Sequence, residues 1–410
     1  MKLLLIHQNL PAQFKHLLQR YARDPEHEVV GICQKHAPAV GDTTLPERVI
    51  QVYKPKREPT PDIHPYLYSL EAGVLNGQAV AARVHELDKG GFRPDVTLVH
   101  PGWGEGLYIK DVLPDTPLIG FFEFFYGAHG RDADFDPEFP LSKDDELRIR
   151  TRNALHLLSL DACDSGISST QWQRQAHPPE YHSKIKVLHE GIDTRAIVPD
   201  PTAVFELPDG TVLNRDKEVV TFISRSLEPY RGFHVFMRAL PEIFRRRPQC
   251  QVVIVGSDDV AYGRKLPNGQ TWREKLLAEV ELDPKRVHFL GELSWESHLR
   301  LLQVSSVHVY LTVPFVLSWS MLEAMSAGCA LIGSDTAPVR EILQHGRNGL
   351  LVDFFSKEQL ADAVDDLLDH PRRRQALAAA GRQTVVSQYD ARDALVRYEQ
   401  YFKQILRDAR

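Results

Sequence analysis

The chain has 410 residues, more than a single compact core usually holds, so we expect two domains of about 200 residues each. A net charge of −6 argues against a nucleic-acid-binding surface, and four widely separated cysteines without C-x-x-C spacing argue against a disulfide framework or a zinc site. The apolar run Leu3–Ile6 is too short for a signal peptide and no run approaches the ~18 residues of a membrane span, which together predict a cytoplasmic protein and leave open a peripheral contact with the inner face of the membrane.

The first half of the chain alternates apolar strands with helices. The predicted strands are Lys2–His7, Glu28–Cys33, Val49–Tyr53, Asp95–His100, Pro117–Phe122, Ala162–Ser168 and Ile185–Leu188. The predicted helices are Phe14–Arg23 and Leu67–Asp88. This order is typical of a parallel sheet with helices on both faces.

The alternation lapses in Asp193–Asp216, where Pro, Asp, Gly and Asn accumulate, and this segment is interpreted as a linker. It then restarts with the predicted strands Val219–Ile223, Gln251–Val255, Val287–Leu290, Val307–Leu311 and Cys329–Ser334. The predicted helices are Gly232–Arg247, Trp272–Val280, Ser297–Gln303, Ser318–Gly328, Pro338–His345, Lys357–Leu368 and Asp390–Arg410. The sequence therefore predicts an α/β protein of two doubly wound Rossmann-like domains facing a cleft, 1–198 and 199–389.

Glu323 lies in a helix that opens near Ser318, directly after a predicted strand. In an open parallel sheet such a helix N-terminus binds phosphorylated ligands, because its free N–H groups and its dipole attract anions. A carboxylate beside that point can accept both hydroxyls of a ribose. The alternative, an ordinary helix residue, is equally compatible with the local pattern.

Arg225 and Arg231 bracket the loop that follows the first strand of the second half and opens a helix. Two arginines and helix N-terminal amides can hold a diphosphate through forked, charge-assisted hydrogen bonds. Taken alone, the pair could equally be solvated surface residues. The loop shares its edge of the predicted sheet with Glu323, which favours a common site.

These motifs resemble those of the family 4 type (group 1) retaining glycosyltransferases, which have the GT-B architecture. The matching segments are Ser224-Arg225 with Tyr230-Arg231-Gly232, Val253–Gly256, Val287–Gly291, Leu322–Gly328, Gly333–Asp335, Arg340–Ile342 and Gly346–Val352. In the first half the resemblance depends mainly on Leu188–Asp193.

The resemblance implies roles for individual residues. Arg225 and Arg231, the latter where Lys is usual, would hold the donor diphosphate as part of the catalytic machinery, and Glu323 would bind the ribose hydroxyls. Main-chain groups near Gly291 and Leu293 would contact the base, and amides near Leu317 and Ser318 the rest of the donor. The helix 390–410 is expected to pack back on the first domain. No metal and no cofactor besides the nucleotide-sugar co-substrate is expected.

The sequence departs from the family pattern at three places. Phe315 occupies the position of a glutamate that usually contacts the donor sugar. Ala12 and Gln13 replace part of a glycine-rich turn, although Ala12 still allows the backbone to approach a donor phosphate. Glu123 stands where a histidine is common. Flanked by phenylalanines, it is expected to have a raised pKa and to accept a proton or stabilise an oxocarbenium ion, with a buried structural role as the alternative.

The segment His100–Gly106 has the glycines and polar side chains of a loop that lines a binding site. Trp103, by stacking, and Glu105 could hold an acceptor or donor sugar, and a merely packed loop is the alternative. The acidic run Asp132–Asp136 lacks the glycine and terminal glutamate of a calcium loop, so no metal site is predicted.

The sequence thus predicts a metal-independent, retaining glycosyltransferase for polysaccharide or related biosynthesis, moving a sugar from a UDP- or GDP-sugar to a glycan, lipid-linked or small-molecule acceptor. A non-catalytic nucleotide-sugar-binding relative, or an epimerase or phosphorylase of the same architecture, remains an alternative. A dehydrogenase is disfavoured because no strand is followed by G-x-G-x-x-G.

Overall fold

The computed structural model describes residues 1–36 and 49–408. It comprises two compact units: one holds Met1–Gly191 and the chain from Ala391 onward, the other Ile192–Asp390. Among the described helices, none combines the length and the apolar character required to cross a bilayer.

The first unit is a doubly wound α/β structure. Its strands are β1 (Lys2–Ile6), β2 (Asn9–Leu10), β3 (Glu28–Cys33), β4 (Lys35–His36), β5 (Ile50–Val52), β6 (Val96–Val99), β7 (Leu118–Phe121), β8 (Ser165–Ser168) and β9 (Ile185–Val187). Its helices within Met1–Gly191 are α1 (Lys15–Arg23), α2 (Tyr68–Lys89), α3 (Ile109–Val112), α4 (Lys143–Ala162) and α5 (Gln171–Ala176).

Seven of these strands form a parallel sheet in the order β5-β3-β1-β6-β7-β8-β9. In the central strand β1, Leu3 and Leu5 belong to one hydrophobic cluster, and Leu4 and Ile6 to another on the opposite face. Because successive strand side chains point to opposite faces, a run of apolar residues is what a strand covered on both sides requires. The order of strands reverses between β1 and β6, which opens a crevice at their carboxyl ends.

The second unit repeats this architecture. Its strands are β10 (Phe205–Glu206), β11 (Val212–Leu213), β12 (Val219–Ser226), β13 (Gln251–Ser257), β14 (Val287–Phe289), β15 (Val307–Tyr310), β16 (Ala330–Ser334) and β17 (Leu350–Val352). Its helices are α6 (Phe233–Arg246), α7 (Trp272–Glu279), α8 (Trp295–Val304), α9 (Trp319–Ser326), α10 (Ala337–Arg340), α11 (Lys357–Asp369) and α12 (Pro371–Gln388). Six strands pair in parallel in the order β14-β13-β12-β15-β16-β17, so the reversal lies between β12 and β15.

The segment interpreted as a linker is part of the second unit. Ile197, Ala203, Leu207 and Leu213 are buried in its core, and β10 pairs with β11 as a short antiparallel hairpin. The division therefore falls at Gly191 and Ile192 rather than at the predicted 198/199, because apolar side chains between the polar residues of this segment pack against the second sheet.

The last helix, α13 (Ala391–Asp408), belongs to the first unit. Its residues Tyr398, Tyr401 and Phe402 are buried in the core of that unit, and the Tyr398 hydroxyl donates to the Leu188 carbonyl at 3.3 Å. The predicted positions 409 and 410 of this helix lie outside the described residues.

Candidate functional site

The loop after β12 is shaped by Gly232, which begins helix α6. Gly232 has φ +67°, and a Cβ atom at this position would lie 2.4 Å from the Cβ of Leu311. Only glycine satisfies both the left-handed conformation and this close approach. The turn holds the N-terminus of α6 against the chain that leaves β15, at the point where the sheet order reverses.

Arg231 lies at this point and is only 6% exposed. Its Nη1 donates to the Thr312 hydroxyl at 3.0 Å and to the Val316 carbonyl at 2.9 Å. These contacts fix the guanidinium beside the loop that leads to α9. Arg225, in contrast, is exposed. The structure thus places Arg225 at the end of β12 and Arg231 in the turn that follows, with Arg231 anchored and Arg225 exposed to solvent.

Buried Glu228 organises the neighbouring loop after β13. Its carboxylate accepts the backbone N–H groups of Ala261, Tyr262 and Gly263 at 2.7 to 3.2 Å. Burial raises the pKa of Glu228, although these donors and the charge of Arg231 oppose the shift. The Glu228 carboxylate therefore connects the turn 261–263 to the loop between β12 and α6.

Phe315 is 7% exposed and packs among aromatic side chains. Its ring centroid lies 4.9 Å from that of Tyr262 and 5.4 Å from that of Tyr230, and the Arg231 guanidinium lies 5.5 Å from the Phe315 ring. A guanidinium over aromatic faces is a stabilising cation–π arrangement. Phe315, which replaces the glutamate usual in the family, is thus part of the aromatic packing that supports Arg231.

Helix α9 begins directly beside Arg231. Ser318 caps it by accepting the Ser320 N–H at 3.3 Å, and the Ser318 N–H donates to the Tyr310 hydroxyl at 2.8 Å. Five residues further along α9, one oxygen of Glu323 lies 3.1 Å from Nε2 of His298. Both side chains are 15% exposed. The histidine thus positions the carboxylate through Oε2, and within residues 1–36 and 49–408 the other oxygen, Oε1, has no side-chain or main-chain donor.

The turn after β14 contains Gly291, which has φ +63° and whose carbonyl accepts the Gly256 N–H at 3.0 Å. Leu290 and Leu293 on either side pack against the core of the unit. These side chains are directed toward the core, whereas Glu292 between Gly291 and Leu293 is exposed.

In the first unit, the carboxyl ends of β1, β6 and β7 bring a polar cluster together. Gln13 Nε2 donates to Glu123 Oε1 at 2.7 Å, and His100 Nε2 lies 3.4 Å from Glu123 Oε2. Because His100 Nδ1 accepts the Gly102 N–H at 3.3 Å, the neutral ring carries its proton on Nε2 and donates it to Glu123. Both oxygens of Glu123 thus accept hydrogen bonds, and its side chain is 30% exposed.

Ala12, between β2 and α1, has φ +36°. This is the left-handed region that favours glycine. The backbone at Ala12 therefore has a conformation typical of a glycine-rich turn, although the residue is alanine. The turn carries Gln13 toward Glu123.

A cavity of about 230 Å³ lies beside this cluster in the first unit. Its lining includes Trp103, Glu123, Tyr126, Arg152 and His156. Trp103 is stacked on His100 with ring centroids 4.7 Å apart, which fixes the indole at the cavity wall. The structure therefore brings Trp103 and Glu123 to one cavity.

The prediction that Glu105 contacts an acceptor is wrong. Glu105 is fully buried and accepts a hydrogen bond from the Tyr53 hydroxyl at 2.9 Å. Burial raises its pKa to about 7. The left-handed turn at Gly104 directs the chain inward here, so Glu105 supports the loop instead of lining the cavity.

Several residues of these clusters were not predicted. His298 is an isolated histidine in a helix, and Tyr262 belongs to a loop without a motif, so neither gives a local sequence signal. His7 follows the end of β1, with its ring centroid 4.7 Å from that of His100, and its position after an apolar strand could have indicated it.

The fold and the position of these clusters at strand carboxyl ends define the GT-B class. A solved structure of HepE from Anabaena in complex with UDP-glucose superposes with a TM-score of 0.67 at 16% identity, covering 100% of both chains. Sucrose-phosphate synthase from Thermosynechococcus elongatus gives a TM-score of 0.74 at 16% identity, also over 100% of both chains. At such identities the likeness concerns the fold alone.

Sequence comparison identifies the family. Residues 25–197 match the family described as Glycosyl transferase family 4 group, and residues 205–384 match Glycosyl transferases group 1. A phosphatidyl-myo-inositol mannosyltransferase of Mycobacterium tuberculosis is 30% identical over 281 residues, 60% of this chain and 70% of the relative. The chain belongs to the group 1 glycosyltransferases. Other matches are shorter: the alignments span about half the length of several curated relatives, 52% and 56% in two of them.

Proposed function

We propose that the protein is a retaining glycosyltransferase that moves a sugar from a UDP- or GDP-sugar to a glycan, lipid-linked or small-molecule acceptor without a metal ion. The observation that carries the proposal is the convergence of Arg231 and the capped N-terminus of α9 at the crevice between β12 and β15. Positive side chains and a helix N-terminus at such a crevice are suited to a diphosphate.

In this proposal Arg225 and Arg231 hold the donor diphosphate, and amides near Leu317 and Ser318 contact the donor. As the bond between the sugar C1 and the diphosphate breaks, negative charge grows on the leaving oxygen. Fixed positive groups stabilise that charge most in the transition state. In other enzymes a divalent cation stabilises the leaving diphosphate in the same way. The buried, anchored guanidinium of Arg231 is preorganised for this purpose.

Glu323 would accept the ribose hydroxyls through the oxygen that His298 leaves free. The main chain at Gly291 and Leu293 would contact the base. The packed aromatic environment of Phe315 would shape the donor-sugar end by contact rather than by a carboxylate, so recognition of the sugar would differ from the usual family pattern.

In the first unit, Glu123 would accept the acceptor's proton or stabilise the oxocarbenium-like sugar, and the turn at Ala12 and Gln13 would approach the donor. The hydrogen bonds from Gln13 and His100 keep the Glu123 carboxylate in a fixed orientation, as such a role requires. Trp103 at the cavity wall would stack on an acceptor sugar. Location in the cytoplasm, with a peripheral contact to the membrane, completes the proposal.

The names of relatives guide the choice of substrates. One is a GDP-mannose-dependent phosphatidylinositol monomannoside mannosyltransferase, and the HepE structure contains UDP-glucose. The test therefore incubates the chain with UDP- and GDP-sugars in EDTA, with glycan, lipid-linked and small-molecule acceptors. We expect transfer with one nucleotide class, and retention of the anomeric configuration in the product by NMR. Tight nucleotide-sugar binding without transfer or hydrolysis would instead favour a non-catalytic binding protein.

A further inference from the structure

The second unit contains a cavity that is separate from the proposed donor site. It has a volume of about 350 Å³ and is lined by Arg215, Arg374 and Arg382, with Ser305, Ser306 and Gly328. Ser306 directly precedes β15 and Gly328 precedes β16, so the cavity lies at the amino edge of these strands. The proposed donor residues follow the carboxyl ends of the strands, at the opposite edge of the sheet.

Two of the three arginines are each held by more than one main-chain carbonyl. Arg215 donates from Nε to the Gln303 carbonyl at 2.8 Å, and Arg382 donates from Nη1 to the Ile197 carbonyl at 3.0 Å and to the Ser326 carbonyl. Ser326 is the last residue of α9, where a positive charge is favourable. These contacts hold the two guanidiniums in fixed positions at the cavity wall.

Arg374, in the first turn of α12, makes fewer hydrogen bonds than Arg215 and Arg382. Its Nη1 donates to the Leu367 carbonyl at 3.2 Å, which leaves Nε and Nη2 without a protein acceptor among residues 1–36 and 49–408. Burial lowers the pKa of Arg374; Glu218 opposes this shift and the charge of Arg215 adds to it.

The charges of the three arginines are not matched at the cavity. Across the described chain no carboxylate forms an ion pair with Arg215, Arg374 or Arg382. Glu218 and Asp200 interact electrostatically with Arg374 and Arg215, but their ion pairs are with other residues: Glu218 pairs with Arg247 at 3.5 Å and Asp200 with Arg300 at 4.0 Å. Three guanidiniums around one cavity repel each other, and an anion among them would relieve that repulsion.

We propose that this cavity is a second anion-binding site of the protein, specific for a compact phosphoryl group such as a diphosphate or a sugar phosphate. The volume falls in the range of about 300–1,000 Å³ typical of small-molecule sites. Guanidiniums match the geometry of phosphoryl oxygens by forked hydrogen bonds, and their charge-assisted contacts are stronger than neutral ones. The site is independent of the proposed transferase activity.

The test is calorimetric titration of the full chain with inorganic pyrophosphate, in wild type and in Arg374→Ala. We expect a binding event whose Kd rises at least about tenfold in Arg374→Ala. Arg373→Ala is the matched control, because its neighbouring side chain is 47% exposed, pairs with Asp366 and does not line the cavity. If Arg374→Ala fails to fold, Arg374→Gln preserves most of the volume and gives the same readout.

Arg225→Ala separates this site from the donor site, since pyrophosphate is expected to bind there too. The event assigned to the cavity should persist in Arg225→Ala and in Arg373→Ala. The proposal is overturned if no binding event is sensitive to Arg374, if the Arg374-sensitive event is lost with Arg225, or if pyrophosphate does not bind.

Discussion

Replacing Arg231 by Met tests the proposed donor site through one side chain. The change preserves the length and most of the volume, but it removes the charge and the donors to Thr312 and Val316. Each hydrogen bond from a buried charged group contributes about 1.5 kcal/mol or more, so the second unit should lose about 3 kcal/mol of stability. At roughly 2–4 °C per kcal/mol for a unit of this size, its unfolding temperature should fall by about 6–12 °C.

The effect on activity should be larger than the effect on stability. If Arg231 stabilises the leaving diphosphate, its removal should lower kcat/KM by about 10²- to 10³-fold at a temperature where the variant is folded. The assay is initial-rate transfer from the nucleotide sugar found in the substrate screen, with a thermal shift by the nucleotide as the measure of ground-state binding.

Arg231→Lys is the control, because lysine is usual at this position in the family the sequence resembles and keeps the positive charge. We expect this variant to retain most of its transfer activity while losing the forked geometry. A folded Arg231→Met protein with kcat/KM within about threefold of wild type would refute the assignment of Arg231 to the diphosphate.

Three further predictions concern other residues. Wild type should discriminate against 2′-deoxynucleotides by about tenfold or more in calorimetry, whereas Glu323→Ala should bind ribo- and deoxynucleotides alike, and equal discrimination by both proteins would contradict the ribose contact. Because burial raises the pKa of Glu105 from 4.5 to about 7, the proton it retains stabilises the fold fully below pH 4.5 and this contribution is lost as the pH rises to 7. Relative to Glu105→Gln, the free energy of unfolding of wild type in urea should fall by about 3 kcal/mol over that interval, and a pH-independent difference would exclude the shift. Gly232→Ala should cost at least about 2 kcal/mol, because a positive φ and a 2.4 Å contact act together. Gly269→Ala, with φ +73° and nothing within 4 Å of the new Cβ, should cost only about 1 kcal/mol, and equal losses would show that the contact with Leu311 is relieved without cost.

Elements with one clear apolar face, or with a short run of buried residues, could be predicted from the sequence. β3 was predicted with its observed bounds, because the buried run from Val29 to Cys33 follows directly after the charged residue Glu28. Helix α4 was missed, since Leu147 and Leu157 are exposed while Leu155 and Leu160 are buried, and its apolar residues define no single stripe. The predicted helix Pro338–His345 ends at Arg340, because the residues that follow form turns.

The candidate site was predictable where spacing along one strand and its loop determines proximity. Arg231 and Glu323 were predicted to share a site in this way, since each follows one of two strands, β12 and β15, that are parallel neighbours in the sheet. His298 approaches Glu323 from a different helix, and the pairing of Gln13 with Glu123 spans 110 positions. Such contacts depend on the packing of distant elements, and no local pattern in the sequence encodes them. Glu105 shows the converse, since a polar residue in a glycine-rich loop was directed into the interior.

Helix α13 affects the order in which the chain can fold during synthesis. The ribosome must make all of Ile192–Asp390 before it reaches the helix that supplies Tyr398 and Phe402 to the first core. At a synthesis rate of about 5–20 residues per second, part of the apolar surface of the first unit stays uncovered for roughly 10–40 s. During that interval the second unit, whose residues are contiguous, can complete its own core. Synthesis therefore favours completion of the second unit before the first, although the first emerges earlier.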